Sequence, residues 1–393
     1  MNASTEATPN SGQDRPLRVF LVCTGVDRYR GGFETFAREC FDGLCGTPGL
    51  DIQLIKGSGG DRPGEQRVWC LLRSTPLARF LAWSTRRSGY AVEQFTSLLP
   101  VARRIRAQRP DIVFLSDESL LRRLYRYRKW IGVPFRLLFS NGAPYAGPFP
   151  TADHVHQVTP HGVEIALQRG ETRMRQTMVP YGIAVPEGDP AAIDPALVQR
   201  VRRQLRLPLD RKIVLSVGWI SSFHKRMDYV ISEVAALPPP RPLLVLLGRM
   251  DRRSAQIVRL GNQLLGPDGF RALSVPHQEV TAYYQAADVF ALASLTEGFG
   301  RVYAEAMIEG LPCIVHDDPV MRYVLAEEGT YADLSQKGAL TRRLAELLDR
   351  PRSAQEMIRR RQSVRDRFAW KVLAPAYLQM FRACLHDRSL AAS

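Results

Sequence analysis

The chain has 393 residues, 45% hydrophobic and 24% charged, with a formal net charge of +15 from 54 basic and 39 acidic side chains. That length exceeds one small core and suits two domains of ordinary size. No apolar run approaches the roughly eighteen residues of a membrane span, which excludes a transmembrane helix, and the positive surplus implies an anionic partner: nucleic acid, a membrane surface or a phosphorylated small molecule.

The first sixteen residues are polar and lack the apolar stretch of a secretory signal, so they read as a disordered leader. LRVFLVC (Leu17–Cys23) reads as a buried strand, followed by a loop with the pair Gly31-Gly32 and a helical stretch, FETFARECFDGL. Further strands are expected at Asp51–Ile55, Asp111–Ser116, Phe135–Ser140 and Val155–Thr159, with a helix at Leu98–Ala107. A proline- and acid-rich segment, YGIAVPEGDPAAIDPALVQR, reads as a linker, placed at 184–210. A second series then opens. Strands are expected at Lys212–Val217, Leu243–Leu247, Val289–Ala293 and Pro312–His316, and helices at MDYVISEVAAL, Val280–Ala287 and Val302–Glu309. RFAWKVLAPAYLQMFRACL reads as a helix kinked near Pro375, before a frayed end. Strands alternating with helices twice over predict an α/β protein of two parallel-sheet domains, 17–183 and 211–369, with a C-terminal helix at 370–393.

The six cysteines form no Cys-x-x-Cys pair and read as thiols of a reducing cytoplasm, with no support for structural zinc. Up to Ile183 there are 25 basic and 16 acidic residues, a surplus of +9; the remainder has 29 and 23, a surplus of +6. The segments LLRSTPLARFLAWSTRRSGY and LLRRLYRYRKWIG mix basic, aromatic and aliphatic residues, as segments lying on anionic lipid do; a solvated helix face fits them equally.

Three polar or glycine-bearing loops sit between a strand and a helix: Gly31-Gly32, Ser222–Arg226 and Gly298–Gly300. In open α/β sheets ligands bind beyond the carboxyl ends of strands, where helix N-termini present free N–H groups to anions. A cleft shared by both domains and occupied by a diphosphate is the implied arrangement. No P-loop, dinucleotide fingerprint, nucleophile elbow or HExxH is present. Lys225, before a helix, can reach such a phosphate as a point charge.

Glu297 and Glu305 flank the last loop in ASLTEGFGRVYAEAMIEGLP. Two carboxylates serve as an acid/base pair, a metal site, hydroxyl acceptors or plain helix surface. A metal needs further ligands, and no acidic neighbour in the loop supplies them. A carboxylate accepts both hydrogen bonds of a vicinal diol. Two diols around a diphosphate describe a nucleotide sugar.

S-x-x-E-G-F-G-x-x-x-x-E-A-M-x-x-G-x-P, running from Ser294 to Pro312, resembles the signature of glycosyltransferase family 4, a GT-B fold of two facing Rossmann-like domains. The likeness extends over about residues 17–385 through RVFLVCTGVDRYRGGFETFA, MVPYGI, IVLSVGWISSFHKRMDYVI, QAADVFALAS and RFAW. The resemblance implies a retaining enzyme that needs no metal or other cofactor and moves a sugar from a nucleotide donor, UDP- or GDP-linked, to an acceptor glycan or lipid-linked sugar. It implies Glu297 and Lys225 at the reacting centre, with Glu297 on sugar hydroxyls and Lys225 on the leaving diphosphate. Gly31, Gly32, Gly298, Phe299 and Gly300 would approach the donor, and Glu305 would take the ribose diol. The C-terminal helix would cross back to the first domain, which receives the acceptor.

Three positions depart from the family pattern. Trp219 follows Gly218 where the family carries an arginine, leaving Arg226 as a replacement cation. Asn141 takes the place at the reacting centre where many members have histidine near the sugar; asparagine can hydrogen-bond there but carries no proton. Arg301 replaces an aliphatic residue and reads as a surface side chain or an extra phosphate contact. His154, His156 and His161 read as structural. Competing readings are a nucleotide-sugar epimerase or hydrolase, a binding protein that has lost catalysis, and an arginine-rich nucleic-acid binder, for which no motif is present. The expected location is cytoplasmic, at the inner face of the membrane if the basic segments bind lipid.

Overall fold

The computed structural model describes residues 15–386 except 30, 189, 190 and 192. The expected leader, up to residue 14, and the expected frayed end from residue 387 lie outside the described residues. The first sheet has seven strands: β1 (Leu17–Val22), β2 (Leu50–Lys56), β3 (Glu65–Arg67), β4 (Ile112–Leu115), β5 (Arg136–Asn141), β6 (His154–Gln157) and β7 (Gln176–Met178), in the order β3-β2-β1-β4-β5-β6-β7. The second has six: β8 (Ile213–Val217), β9 (Leu243–Leu247), β10 (Phe270–Leu273), β11 (Val289–Ala291), β12 (Cys313–His316) and β13 (Gly329–Ala332), in the order β10-β9-β8-β11-β12-β13. The strand pairs are parallel throughout both sheets. Strands such as IVFL and LLVLL are buried along their whole length because helices cover both faces.

Helices α1 (Gly32–Leu44), α2 (Pro76–Ser84), α3 (Gly89–Gln108), α4 (Glu118–Arg126), α5 (Arg128–Ile131) and α6 (Pro160–Gln168) follow strands of the first sheet. Helices α7 (Pro195–Gln204), α8 (Met227–Ala235), α9 (Ser254–Gly269), α10 (His277–Ala286), α11 (Arg301–Ile308), α12 (Pro319–Leu325), α13 (Ala339–Leu348) and α14 (Ala354–Phe368) accompany the second, and α15 (Trp370–His386) returns to pack on α1, β4 and β5.

Three expectations are corrected. The expected linker contains α7, capped by the Asp194 carboxylate with Pro195 at its first position. The helix expected at Leu98–Ala107 begins earlier, at Gly89, where the Ser88 hydroxyl caps it. The segment read as one helix is divided at Ala369, where α14 ends and α15 begins, and Pro375 lies inside α15; Ala369 takes an extended backbone and bridges to Ile183, whose N–H donates to the Phe368 carbonyl at 2.7 Å. Trp370 seals this crossover. A Cβ at Gly43 or Gly182 would sit 2.3 Å from its ring, so α1 and the chain at 182 approach only because both are glycine.

Candidate active site between the two sheets

Sheet order places the carboxyl ends of β1, β8 and β11 around one cleft of about 710 Å³, lined from both sides: Gly31 and Gly32 from the first sheet's loop, and Gly218, Lys225, Glu297–Arg301 and Glu305 from the second. The loop before α11 touches the first sheet's side directly. A Cβ at Gly298 would lie 2.1 Å from the Gly142 carbonyl oxygen. Phe299 is buried between the rings of Tyr181 and Phe368, with centroids at 5.5 and 5.4 Å. Its side chain anchors the loop, while its backbone and Gly300 remain in the cleft lining. Gly300 has a φ of 74° and caps α11 with no side-chain bond, so the helix presents its first N–H groups to the cleft.

Lys225 lies along the backbone of Gly218, where a Cβ would come within 3.2 Å of its stem. Its Nζ donates to Glu297 Oε1 at 2.5 Å, both side chains mostly sheltered from solvent. Two of the three residues expected at the reacting centre, Lys225 and Glu297, therefore form one ion pair. Glu305, a turn into α11, accepts from the Tyr284 hydroxyl at 3.2 Å. Burial, and then the charge of Glu305, push the Tyr284 phenol well up, so it stays a donor.

Arg301 is not a surface side chain. It is 8% exposed, donates from Nη1 to the Gly182 carbonyl at 2.8 Å and meets Glu39 of α1 through Nη2 at 2.8 Å, with Glu305 at 3.8 Å. Burial works against its charge, but Glu39 and Glu305 hold its pKa above the ordinary value.

Arg226 leaves the cleft. It starts α8 with a left-handed φ of 47°, so its guanidinium turns to the carbonyls of Leu334, at 2.7 Å, and Ala293, at 3.4 Å. Sequence reading missed Arg249 instead. It follows Gly248 at the end of β9, as Trp219 follows Gly218 at the end of β8. β8 and β9 are neighbours, and the Arg249 guanidinium sits 5.1 Å from the Trp219 ring, facing the cleft. The repeated strand–Gly–x pattern was the available signal.

Asn141 ends β5, buried, donating to Gln157 Oε1 at 2.9 Å and the Tyr145 carbonyl at 3.0 Å. It lines a neighbouring cavity of about 380 Å³ beyond the Glu297–Gly298 loop rather than the main cleft. His161 shares that cavity. His156 is buried between Ser140 and the Val179 carbonyl, and His154 meets Thr177. On the first sheet's side a pocket of about 470 Å³ adjoins the cleft at Gly31 and Gly32, lined also by Tyr29, Glu34, Arg73, Tyr90 and Asp117. Arg73 pairs with Glu34 at 2.5 Å, and burial raises the Asp117 carboxyl. Among the described residues no group of three or more His, Cys, Asp or Glu side chains is arranged to hold a metal.

Residues 198–364 match the family described as glycosyl transferases group 1. A D-inositol 3-phosphate glycosyltransferase of Corynebacterium aurimucosum is 37% identical over 126 residues, 30% of each chain. Curated relatives of this kind are matched over 29% to 53% of their length. Among solved structures, sucrose-phosphate synthase of Thermosynechococcus elongatus superposes with a TM-score of 0.71 at 19% identity, over 94% of this chain and 98% of that one. Anabaena Alr3699/HepE in complex with UDP and glucose does so with 0.70 at 14%, over 93% and 100%. The fold is GT-B. The family match falls on the part of the chain that carries α7 and the second sheet, and the likeness to the solved structures extends the fold over the rest.

Proposed function

We propose that the protein transfers a sugar from a nucleoside-diphosphate sugar, UDP- or GDP-linked, to a hydroxyl acceptor, with retention of anomeric configuration and without a metal ion. The Lys225–Glu297 pair at the mouth of the α11 N-terminus carries this reading. A diphosphate entering the cleft takes over Lys225 and the helix N–H groups, and so releases Glu297 to accept from sugar hydroxyls. Glu305, already oriented by Tyr284, takes the ribose diol. Arg249 adds the cation that Trp219 does not supply. Charge building on the leaving phosphate then meets fixed donors in a sheltered cleft, the setting in which such stabilisation is largest. A neighbouring structure holding UDP and glucose supports this class of donor.

The acceptor enters from the pocket beside Gly31-Gly32. Its Asp117 and Glu34 carboxylates and its Tyr29 and Tyr90 rings suit a hydroxylated ring, such as a glycan or a lipid-linked sugar. The test is an assay of nucleoside diphosphate release against a panel of UDP- and GDP-sugars in the presence of EDTA. The anomeric configuration of the product is read by proton NMR. Release that requires added metal, or an inverted product, refutes the corresponding part of the reading.

A further inference from the structure

The first domain carries a surface that the transfer reading does not use. Helices α2, α4 and α5 all pack on α3 and make up this surface. On it Leu77, Phe80 and Trp83 stand on α2 at helical spacing, Phe95 and Leu99 on α3, and Trp130 on α5; Phe80 and Trp83 are 59% and 77% exposed, Phe95 and Trp130 each 61%. Phe80 and Trp83 lie ring to ring at 6.1 Å on α2, and Arg123 of α4 reaches over the exposed Phe95 ring of α3 at 5.7 Å. Isolated exposed apolar residues are ordinary, whereas a cluster of large aromatics on adjoining helices marks an interaction surface.

The charge around this cluster has one sign. Residues 76–131 contain twelve Arg and Lys against four acids, a net +8 of the chain's +15. The four acids do not offset it. Glu93 is buried, Asp111 pairs with Arg15, Asp117 caps α4, and Glu118 pairs with Arg122. Arg79, Arg87, Arg103, Arg106 and Arg126 remain exposed on these helices and on the turn between α2 and α3.

We infer that this α2–α3–α4 face docks the protein on an anionic lipid bilayer. The exposed rings and aliphatic tips enter the headgroup boundary and the arginines meet lipid phosphates. An outward-facing row of Trp, Phe and Leu gains most from an acyl layer, and an arginine surround gains from anionic headgroups at the same depth. The helices also begin at the rim of the acceptor pocket, through Arg73 just before α2, Tyr90 in α3 and Glu118 in α4. A docked bilayer therefore lies beside that pocket. The inference goes beyond the transfer reading and rests on the surface alone, so it stands or falls without a donor or acceptor.

Flotation of the full chain with vesicles tests it. Vesicles of phosphatidylcholine and phosphatidylglycerol in equal parts should carry the protein up at low salt, with release as salt rises; phosphatidylcholine alone should not. Leu77→Ser/Phe80→Ser/Trp83→Ser should cut partitioning about tenfold or more. Arg87→Glu/Arg103→Glu/Arg126→Glu, which leaves the apolar residues in place, should do the same, with far-UV circular dichroism unchanged in both. No flotation on the anionic vesicles overturns the inference, as does flotation that neither folded variant weakens. Binding to duplex DNA without flotation overturns it too, in favour of a nucleic-acid surface.

Discussion

Arg301 and Glu39 meet at 2.8 Å across the boundary between the two sheets, the arginine at the start of α11 and the glutamate in the middle of α1. Both are sheltered, and Arg301 also holds the Gly182 carbonyl at the crossover. Removing one partner of a buried pair leaves the other charge stranded. Arg301→Met should therefore cost about 3–5 kcal/mol, and Arg301→Met/Glu39→Gln should recover much of that. Urea unfolding of the two variants checks this. A double variant no more stable than the single one counts against a true pair.

The Lys225–Glu297 pair predicts a split between binding and turnover. Glu297→Gln withdraws the carboxylate that competes for Lys225, so UDP should bind at least as tightly as to the wild type. Transfer should fall by about 10²-fold or more. Calorimetric titration with UDP and a turnover assay read the two effects separately, and parallel losses in both would argue for simple misfolding of the loop.

Glu305 should behave oppositely. Glu305→Ala removes the acceptor of a diol and leaves Tyr284 without its partner, so nucleotide affinity should drop by about 1–3 kcal/mol, seen as a raised KM. An unchanged KM would remove Glu305 from the ribose.

At Gly298 the backbones of the two domains nearly touch. Gly298→Ala forces the loop away from Gly142, which should cost about 1–3 kcal/mol and displace Glu297. Thermal melting together with kcat checks it; full activity would mean that the loop has slack.

His156 gives a pH dependence. Burial pushes its pKa from 6.5 down to about 4. The unfolded chain therefore takes up a proton that the folded one refuses. This group's contribution to stability is complete above the unfolded value and falls as pH drops from 6.5 towards 4, by roughly 3 kcal/mol in all. Urea unfolding at stepped pH should show that loss, and His156→Gln should flatten it.

Much of this architecture is legible in the chain because its central strands are uninterrupted apolar runs. KIVLSV and LLVLL announce β8 and β9 without ambiguity. The α7 signals, Asp194 and Pro195, were present but lay inside a stretch whose prolines and acids read as a linker. The break at Ala369 is placed by the likeness of RFAW to the start of a returning helix, not by a local breaker. It is imposed by Ile183, far away in sequence, whereas Pro375 is the visible local breaker. The same division holds at the site. Glu297, Phe299, Gly300 and Glu305 share one short motif, so their association needs no tertiary knowledge. Lys225 and Arg226 look equivalent side by side, and only the positive φ at Arg226 turns one into the cleft and the other out. Arg249 carries only the repeated strand–Gly–x pattern as a local signal, and its place beside Trp219 depends on sheet order; Glu39 depends on the contact between domains, which no local pattern contains.

The central claim is that a nucleoside diphosphate sits between the sheets on Lys225 and the α11 N-terminus. Thermal unfolding with UDP, GDP and their sugars, with and without EDTA, and with duplex DNA as control, tests it most directly. The prediction is a rise in Tm with at least one nucleotide, unchanged by EDTA and lost in Lys225→Ala. Stabilisation by DNA but by none of the nucleotides would contradict it.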